Sequence, residues 1–208
     1  MERTLTWRAC QGLCRILTTV FFQLKAINKK NIPARGGVLL VSNHQSFLDP
    51  IIVAVQLYRP VSFMARSSLF HNPYFGWLIR NLLAYPVHQG RADVGAIKET
   101  IRQLQAGHVL NVFPEGSRSE TGELGPIEKG VALIIRKAAV PIVPVAIAGS
   151  FQAWPKTRRL PRPHPIRVIY GKPMELHNLK PDEIVAAIDA ELRKLLNQLH
   201  KGEILPQI

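Results

Sequence analysis

Acidic side chains are scarce in this chain: 14 Asp plus Glu stand against 27 Lys plus Arg, for a net charge of +13. The shortage is regional. Residues 1–48 carry seven basic residues and one acid, Glu2, and residues 129–174 carry nine basic residues and no acid. Such a field attracts polyanions, whether nucleic acid, an anionic membrane surface or acidic substrates and carriers. Cysteine is scarcer still. Cys10 and Cys14, four apart, cannot build a disulfide framework or a thiolate metal site, and they read as thiols of a reducing compartment. Long apolar runs are missing as well. The longest charge-free stretch, 138–155, is broken by Pro141, Pro144 and Gly149, so it reads as a buried strand with its approach, not a spanning helix. Arg8 and Arg15 interrupt any apolar region of a signal peptide. No G-x-S-x-G occurs, which removes the usual serine elbow. Neither a Walker motif nor G-x-G-x-x-G occurs, so no nucleotide cradle is indicated.

What is present fits one domain, with or without a short appendage: 208 residues, 47% of them apolar. At that size folding buries roughly 70% of the unfolded surface, enough for a core without staples. Residues 4–27 carry Leu13, Ile16, Leu17, Val20, Phe21, Leu24 and Ile27 at helical spacing, with Arg8, Gln11, Arg15 and Thr18 opposite. This predicts an amphipathic helix with a basic polar face, packed on the core or lying in a membrane interface. Strands and helices then alternate. Strands are expected at 38–41, 61–65, 84–88, 109–113, 142–148 and 166–171. Helices are expected at 51–57, within 92–107, at 127–138 and from Pro181 to about Lys201. The pattern predicts an α/β fold, a single mixed, largely parallel sheet flanked by helices. Residues 154–165, "WPKTRRLPRPHP", form a basic, proline-rich loop.

Two strand ends carry chemistry. The first is "VSNHQSFLDP", residues 41–50. Pro50 suits the first helical position and Asp49 the cap before it. Asp49 can also fix the tautomer of His44, whose ordinary pKa near ~6.5 suits a general base at neutral pH. Without a serine elbow nearby, such a base would act directly on a substrate hydroxyl, in one displacement with no covalent intermediate. The second is "FPEGSRSETG", residues 113–122. Gly116 lets the backbone turn closely around a ligand. Ser117, Arg118 and Ser119 offer donors suited to a phosphate, with Lys129 following. Glu115 can hold Arg118 or His44 in place, or accept from a hydroxyl.

With these residues the sequence resembles the glycerolipid acyltransferases, in particular the 1-acylglycerol-3-phosphate acyltransferases. Their NHxxxxD signature stands here as Asn43, His44 and Asp49. FPEGTRS stands as Phe113 to Ser119, with Ser117 for Thr, and the apolar VPxxPV stretch as Val140 to Val145. The resemblance covers roughly 30–175, so 1–29 reads as a membrane-associating helix and 30–208 as the acyltransferase domain. It implies that His44 is the general base on the free hydroxyl of a lysophospholipid and that Asp49 orients it. The acyl group would come from acyl-CoA or an acylated carrier protein as co-substrate. Arg118, with Glu115 and Gly116, would bind the acceptor's glycerol phosphate, and Pro144 would shape the acyl site. No metal or redox cofactor is implied. Two departures stand out. Arg66 occupies a position where many relatives have lysine. The arginine that usually follows a "PV" pair aligns without a gap to Gln89, the nearest arginine being Arg91. Asn43, Ser117 and Lys129 complete the expected substrate-binding set.

A non-catalytic basic protein bound to a membrane or nucleic acid would explain the charge and the first helix. It would not explain His44, Asp49 and Arg118 at two strand ends. The basic stretch also lacks the interleaved aromatics of a nucleic-acid surface, Trp154 and Tyr170 only bracketing it. The expected station is therefore peripheral, on the cytoplasmic face of an anionic membrane, with no specific nucleic-acid partner.

Overall fold

The computed structural model describes residues 5–87 and 93–201. In chain order its elements are α1 (Leu5–Phe22), β1 (Lys25–Ile27), β2 (Val38–Ser42), α2 (Asp49–Val55), β3 (Val61–Arg66), α3 (Pro73–Asn81) and β4 (Ala84–Val87). They continue as α4 (Val94–Gln105), β5 (Val109–Val112), α5 (Gly130–Ala138), β6 (Ile142–Ala148), α6 (Ser150–Ala153), β7 (Arg167–Tyr170) and α7 (Pro181–Lys201). The strands form one seven-stranded sheet in the order β1-β7-β6-β2-β5-β3-β4. Only the β6–β7 pairing is antiparallel. This is the mixed, largely parallel sheet that the alternation predicts.

The apolar strands are covered on both faces, as parallel strands require. Leu39, Val41, Leu110 and Val112 face one cluster, with Ile134 and Ile135 of α5 and Ile184, Ile188 and Leu192 of α7. Val38, Leu40, Val143, Val145 and Ile147 face the other, with Phe22 of α1 and Ile52, Val53 and Val55 of α2. The chain leaves β2 on one side and returns to pair β5 and then β6 on its two flanks. The loops after β2 and β5 therefore open side by side at the carboxyl edge, where α/β sheets place ligands.

The expected first helix, 4–27, stops at Phe22. Gln23 takes a left-handed backbone, φ 44°, and Lys25–Ile27 becomes an edge strand on β7. The orientation of α1 also departs from a helix that buries its apolar stripe. Trp7 and Phe22 are buried, and Thr18 with them. Gln11 Nε2 donates to the carbonyls of Val55 and Leu57, at 3.3 and 2.9 Å. Leu13, Ile16, Leu17, Val20 and Phe21 are all exposed, Val20 by 68%. A mixed face of Trp7, Gln11, Cys14, Thr18 and Phe22 holds the domain, and the greasy side faces out.

Other boundaries shift modestly: α2 starts at Asp49 instead of residue 51, and α5 at Gly130 instead of 127. Helix α3 was not foreseen, although Asn72–Pro73 carries its signal: Asn72 Oδ1 accepts from Phe75 N at 2.9 Å, with Pro73 in the first turn. His88, the last residue of the expected 84–88 strand, lies outside the described residues.

Helix α2 is pinned to the sheet by Tyr170, whose buried hydroxyl donates to Val53 O at 2.7 Å. Burial pushes that phenol far above its ordinary pKa. Tyr170→Phe removes the donor and little volume. The expected loss is about 1–2 kcal/mol, read as a lower urea midpoint at unchanged slope.

Candidate active site

Strand β2 delivers its last residues to the carboxyl edge, and each of the next four polar groups is fixed by a specific partner. Asn43 is fully buried. Its Oδ1 accepts from Ile147 N at 2.8 Å and its Nδ2 donates to Ile147 O at 3.0 Å. The side chain thus extends the β2–β6 ladder by one rung. Asn43 is expected to bind substrate; here its amide oxygen and one amide N–H are bonded to the Ile147 backbone.

His44 Nδ1 lies 2.8 Å from Asp49 Oδ2, with the imidazole 18% exposed and the carboxylate buried. The same Oδ2 accepts from Gln45 N and Ser46 N, each at 2.6 Å. Asp49 opens α2 and makes no side-chain cap, so the cap expectation gives way to a carboxylate turned back onto its own loop. A carboxylate on Nδ1 places the imidazole proton there and leaves Nε2 as the nitrogen available for proton transfer. The Phe113 ring stacks on the imidazole, centroids 3.9 Å apart and planes 18° from parallel.

The β5 loop closes over the same histidine through its backbone. Glu115 Oε1 accepts from His44 N at 2.6 Å and Oε2 from Gly125 N at 2.8 Å. Ser119 N donates back to His44 O at 2.8 Å. Burial leaves the Glu115 carboxyl above its ordinary pKa, with the nearby Asp49 charge adding to the rise and the backbone donors and His44 opposing it only in part. Both oxygens therefore help hold the site together, which is the alternative in which Glu115 keeps His44 in place. Gly116 bends the loop at φ 68°, a left-handed conformation that favours glycine. Ser117 is exposed just beyond it.

Arg118 lies over the Phe47 ring, its guanidinium carbon 3.5 Å from the centroid. Its Nη1 is buried and makes no hydrogen bond. Burial pulls the guanidinium below its ordinary pKa, and attraction to Asp49 opposes that. A buried cationic donor without an acceptor, beside a histidine–carboxylate pair, is suited to an anionic substrate group.

The remaining expected residues scatter. Arg66 ends β3, exposed at the same carboxyl edge but separated from β2 by β5. Lys129 Nζ pairs at 2.8 Å with Asp182 of α7, both side chains largely exposed. Pro144 is buried within β6; its carbonyl accepts from Gly171 N at 2.8 Å and its ring lies against Gly171 beside Leu195. That is a core position between β7 and α7. Gln89 and Arg91 lie outside the described residues.

Phe47, Phe113 and Trp154 were not singled out from the sequence. Ser46 Oγ donates to Trp154 O at 2.7 Å, and the Phe47 and Trp154 rings lie 5.1 Å apart. Gln45 Nε2 donates to Gly122 O. Phe113 stood within a quoted motif and Phe47 between His44 and Asp49, so both had a signal. Trp154 had none, since 108 residues separate it from Ser46.

The acyltransferase family profile matches residues 23–148. The chain is 25% identical to the 1-acyl-sn-glycerol-3-phosphate acyltransferase of Bacillus subtilis, over 93% of this chain and 96% of that one. It is 32% identical to the chloroplast 1-acyl-sn-glycerol-3-phosphate acyltransferase of Brassica napus over 74% of this chain, spanning 46% of that longer protein. The crystal structure of a 1-acyl-sn-glycerophosphate acyltransferase from Thermotoga maritima superposes with a TM-score of 0.80 at 26% identity, covering 92% of this chain and 79% of that one.

Glu115→Gln keeps the shape but leaves one carbonyl oxygen where two oxygens accepted. One backbone N–H, of His44 or of Gly125, loses its acceptor. The expected result is a loss of about 1–3 kcal/mol and faster amide exchange at one of those two residues, measured by hydrogen–deuterium exchange.

Proposed function

The chain belongs to the acyltransferase family, and from that premise we propose that it acylates the free hydroxyl of 1-acylglycerol-3-phosphate. The observation that carries this reading is the 2.8 Å His44–Asp49 pair next to Arg118, whose buried Nη1 has no acceptor. The donor is an acyl thioester, acyl-CoA or an acylated carrier protein. His44 Nε2 takes the proton of the acceptor hydroxyl as its oxygen attacks the thioester carbonyl. The carbon–sulfur bond then breaks, and the thiolate takes the proton from the imidazolium. Asp49 holds the tautomer and faces the charged ring through the transfer. The acceptor phosphate meets Arg118. So written, the reaction calls for no metal or redox cofactor.

The acceptor is a membrane lipid, and no helix among the described residues is long and apolar enough to cross a bilayer. The outward apolar face of α1 supports a peripheral attachment, and the surplus of cations supports an anionic leaflet. The cytoplasmic face is the matching side, since thioester donors are made there.

The direct test is incubation with acyl-CoA and a panel of lysophospholipids, followed by detection of free thiol and diacyl product by mass spectrometry. A folded protein that gives no product with any acceptor would sink the proposal. His44→Ala is expected to lower turnover by about 10²–10⁴-fold while keeping its circular dichroism, and Asp49→Asn to retain a trace. Near-parental turnover in folded His44→Ala would remove the base from the mechanism. Arg118→Ala should damage use of lysophosphatidate far more than use of a monoacylglycerol without the phosphate, compared as kcat/KM. Equal losses on both acceptors would assign Arg118 to the donor or to the fold.

A further inference from the structure

The loop from Trp154 to Arg162 is tied into the site but has no part in the chemistry above. It closes on itself: Arg162 N donates to Ala153 O at 2.8 Å, Arg162 Nε to Gln152 O at 2.7 Å, and Trp154 Nε1 to Arg158 O at 3.0 Å. It is also bonded to both loops of the site, through Ser46 Oγ to Trp154 O and through the Lys156–Glu120 pair at 2.9 Å. The loop is therefore a fixed feature at the mouth. What it presents outward is an apolar side chain set among cations. Leu160 is 70% exposed at the tip, flanked by Arg159 and Pro161, with Arg158 one residue further. Among the described residues no carboxylate pairs with Arg158 or Arg159. Phe47, beside Trp154, is also exposed.

The far end of this segment joins α1. Ile166 N donates to Phe22 O at 2.8 Å and Arg167 Nη1 to Gln23 O at 3.1 Å. The register places that junction at the edge where His44 sits. Lys25 pairs with Arg167, Arg167 with Ala148 at the end of β6, and Ile147 with the Asn43 side chain. Val20 and Phe21, both exposed, lie in the last turn of α1 at this junction. Two exposed apolar elements, the last turn of α1 and the arginine-bearing loop, thus border one edge of the molecule. An apolar tip ringed by arginines suits a bilayer interface, where the tip enters and the guanidinium groups meet headgroups.

We propose that the loop Trp154–Arg162 is a second membrane contact, separate from α1, that seats the mouth of the site on an anionic leaflet. The acceptor then reaches His44 from the bilayer without crossing water. This rests on the reading that the acceptor is a lysophospholipid.

The test compares the full-length parent with Leu160→Asp and with the double variant Arg158→Ala/Arg159→Ala, all at exposed positions, with folding checked by thermal melting. Co-sedimentation uses equimolar phosphatidylglycerol–phosphatidylcholine vesicles, with pure phosphatidylcholine as the control. Each arginine near an anionic leaflet is worth about 5-fold in partitioning, so the pair should lose about 20- to 30-fold. Transfer from acyl-CoA is then measured onto a long-chain lysophosphatidate embedded in the same vesicles and onto a short-chain, water-soluble lysophosphatidate. The expected result is a higher KM for the embedded acceptor, with the soluble acceptor and acyl-CoA unaffected. Folded variants that sediment like the parent overturn the proposal. A raised KM for acyl-CoA with both acceptors also overturns it and makes the loop a site for the donor's phosphates. If the parent transfers to neither acceptor, the acyltransferase reading fails, and the vesicle arm alone decides the loop.

Discussion

One oxygen atom organises the site. Asp49 Oδ2, buried at the start of α2, receives His44 Nδ1 and the backbone N–H groups of Gln45 and Ser46. A buried carboxylate is tolerable only when its charge is met by donors. Here the donors to Oδ2 are the loop itself, so burying the charge and shaping the loop are one event, while the buried Oδ1 makes no hydrogen bond. Everything around it holds that arrangement still. Tyr170 anchors α2 at Val53, Asn43 locks the end of β2 to β6, and Glu115 with Ser119 grips the His44 backbone from the β5 loop.

The polar groups therefore divide into two kinds. Asn43 and Glu115 are bonded to backbone partners and position the loops. His44 and Arg118 keep capacity: a ring nitrogen in one case and a buried guanidinium N–H in the other. A base and an anion-binding donor are what acyl transfer to a phosphate-bearing alcohol requires, and preorganised donors in a partly desolvated site act more strongly than in water. The aromatic rings of Phe113 and Phe47 back these two groups, one against each.

Helix α1 resolves a tension in the composition. An amphipathic helix at the surface of a globular domain ordinarily buries its apolar stripe. Here that face would have to displace contacts already made by Trp7, Gln11, Thr18 and Phe22. The apolar face is left outward, on the side of the molecule whose edge carries the site and the arginine-bearing loop. In the proposed function the charge surplus and the exposed apolar residues serve one surface property, attraction to an anionic leaflet followed by shallow insertion.

The alternation of elements, the mixed sheet and the two strand-end motifs were legible in the sequence, because periodicity and turn chemistry act over a few residues. So was the proximity of His44 to Asp49, which are close in the chain. Long-range contact was not legible. The order β6-β2-β5 brings Ile147 to Asn43 and Glu115 to the His44 backbone, and so gives both side chains structural partners. It also places Trp154 beside Phe47, carries Lys129 to Asp182, and buries Pro144 under α7. The outward turn of α1 was decided the same way, by which face the α2 carbonyls and the sheet could hold. The sequence by itself determined which functional groups the protein has and at which strand ends they stand. Only the tertiary structure decided which of those groups stay unsatisfied, because a hydrogen-bonding capacity is used up by partners that the sheet order brings from far along the chain.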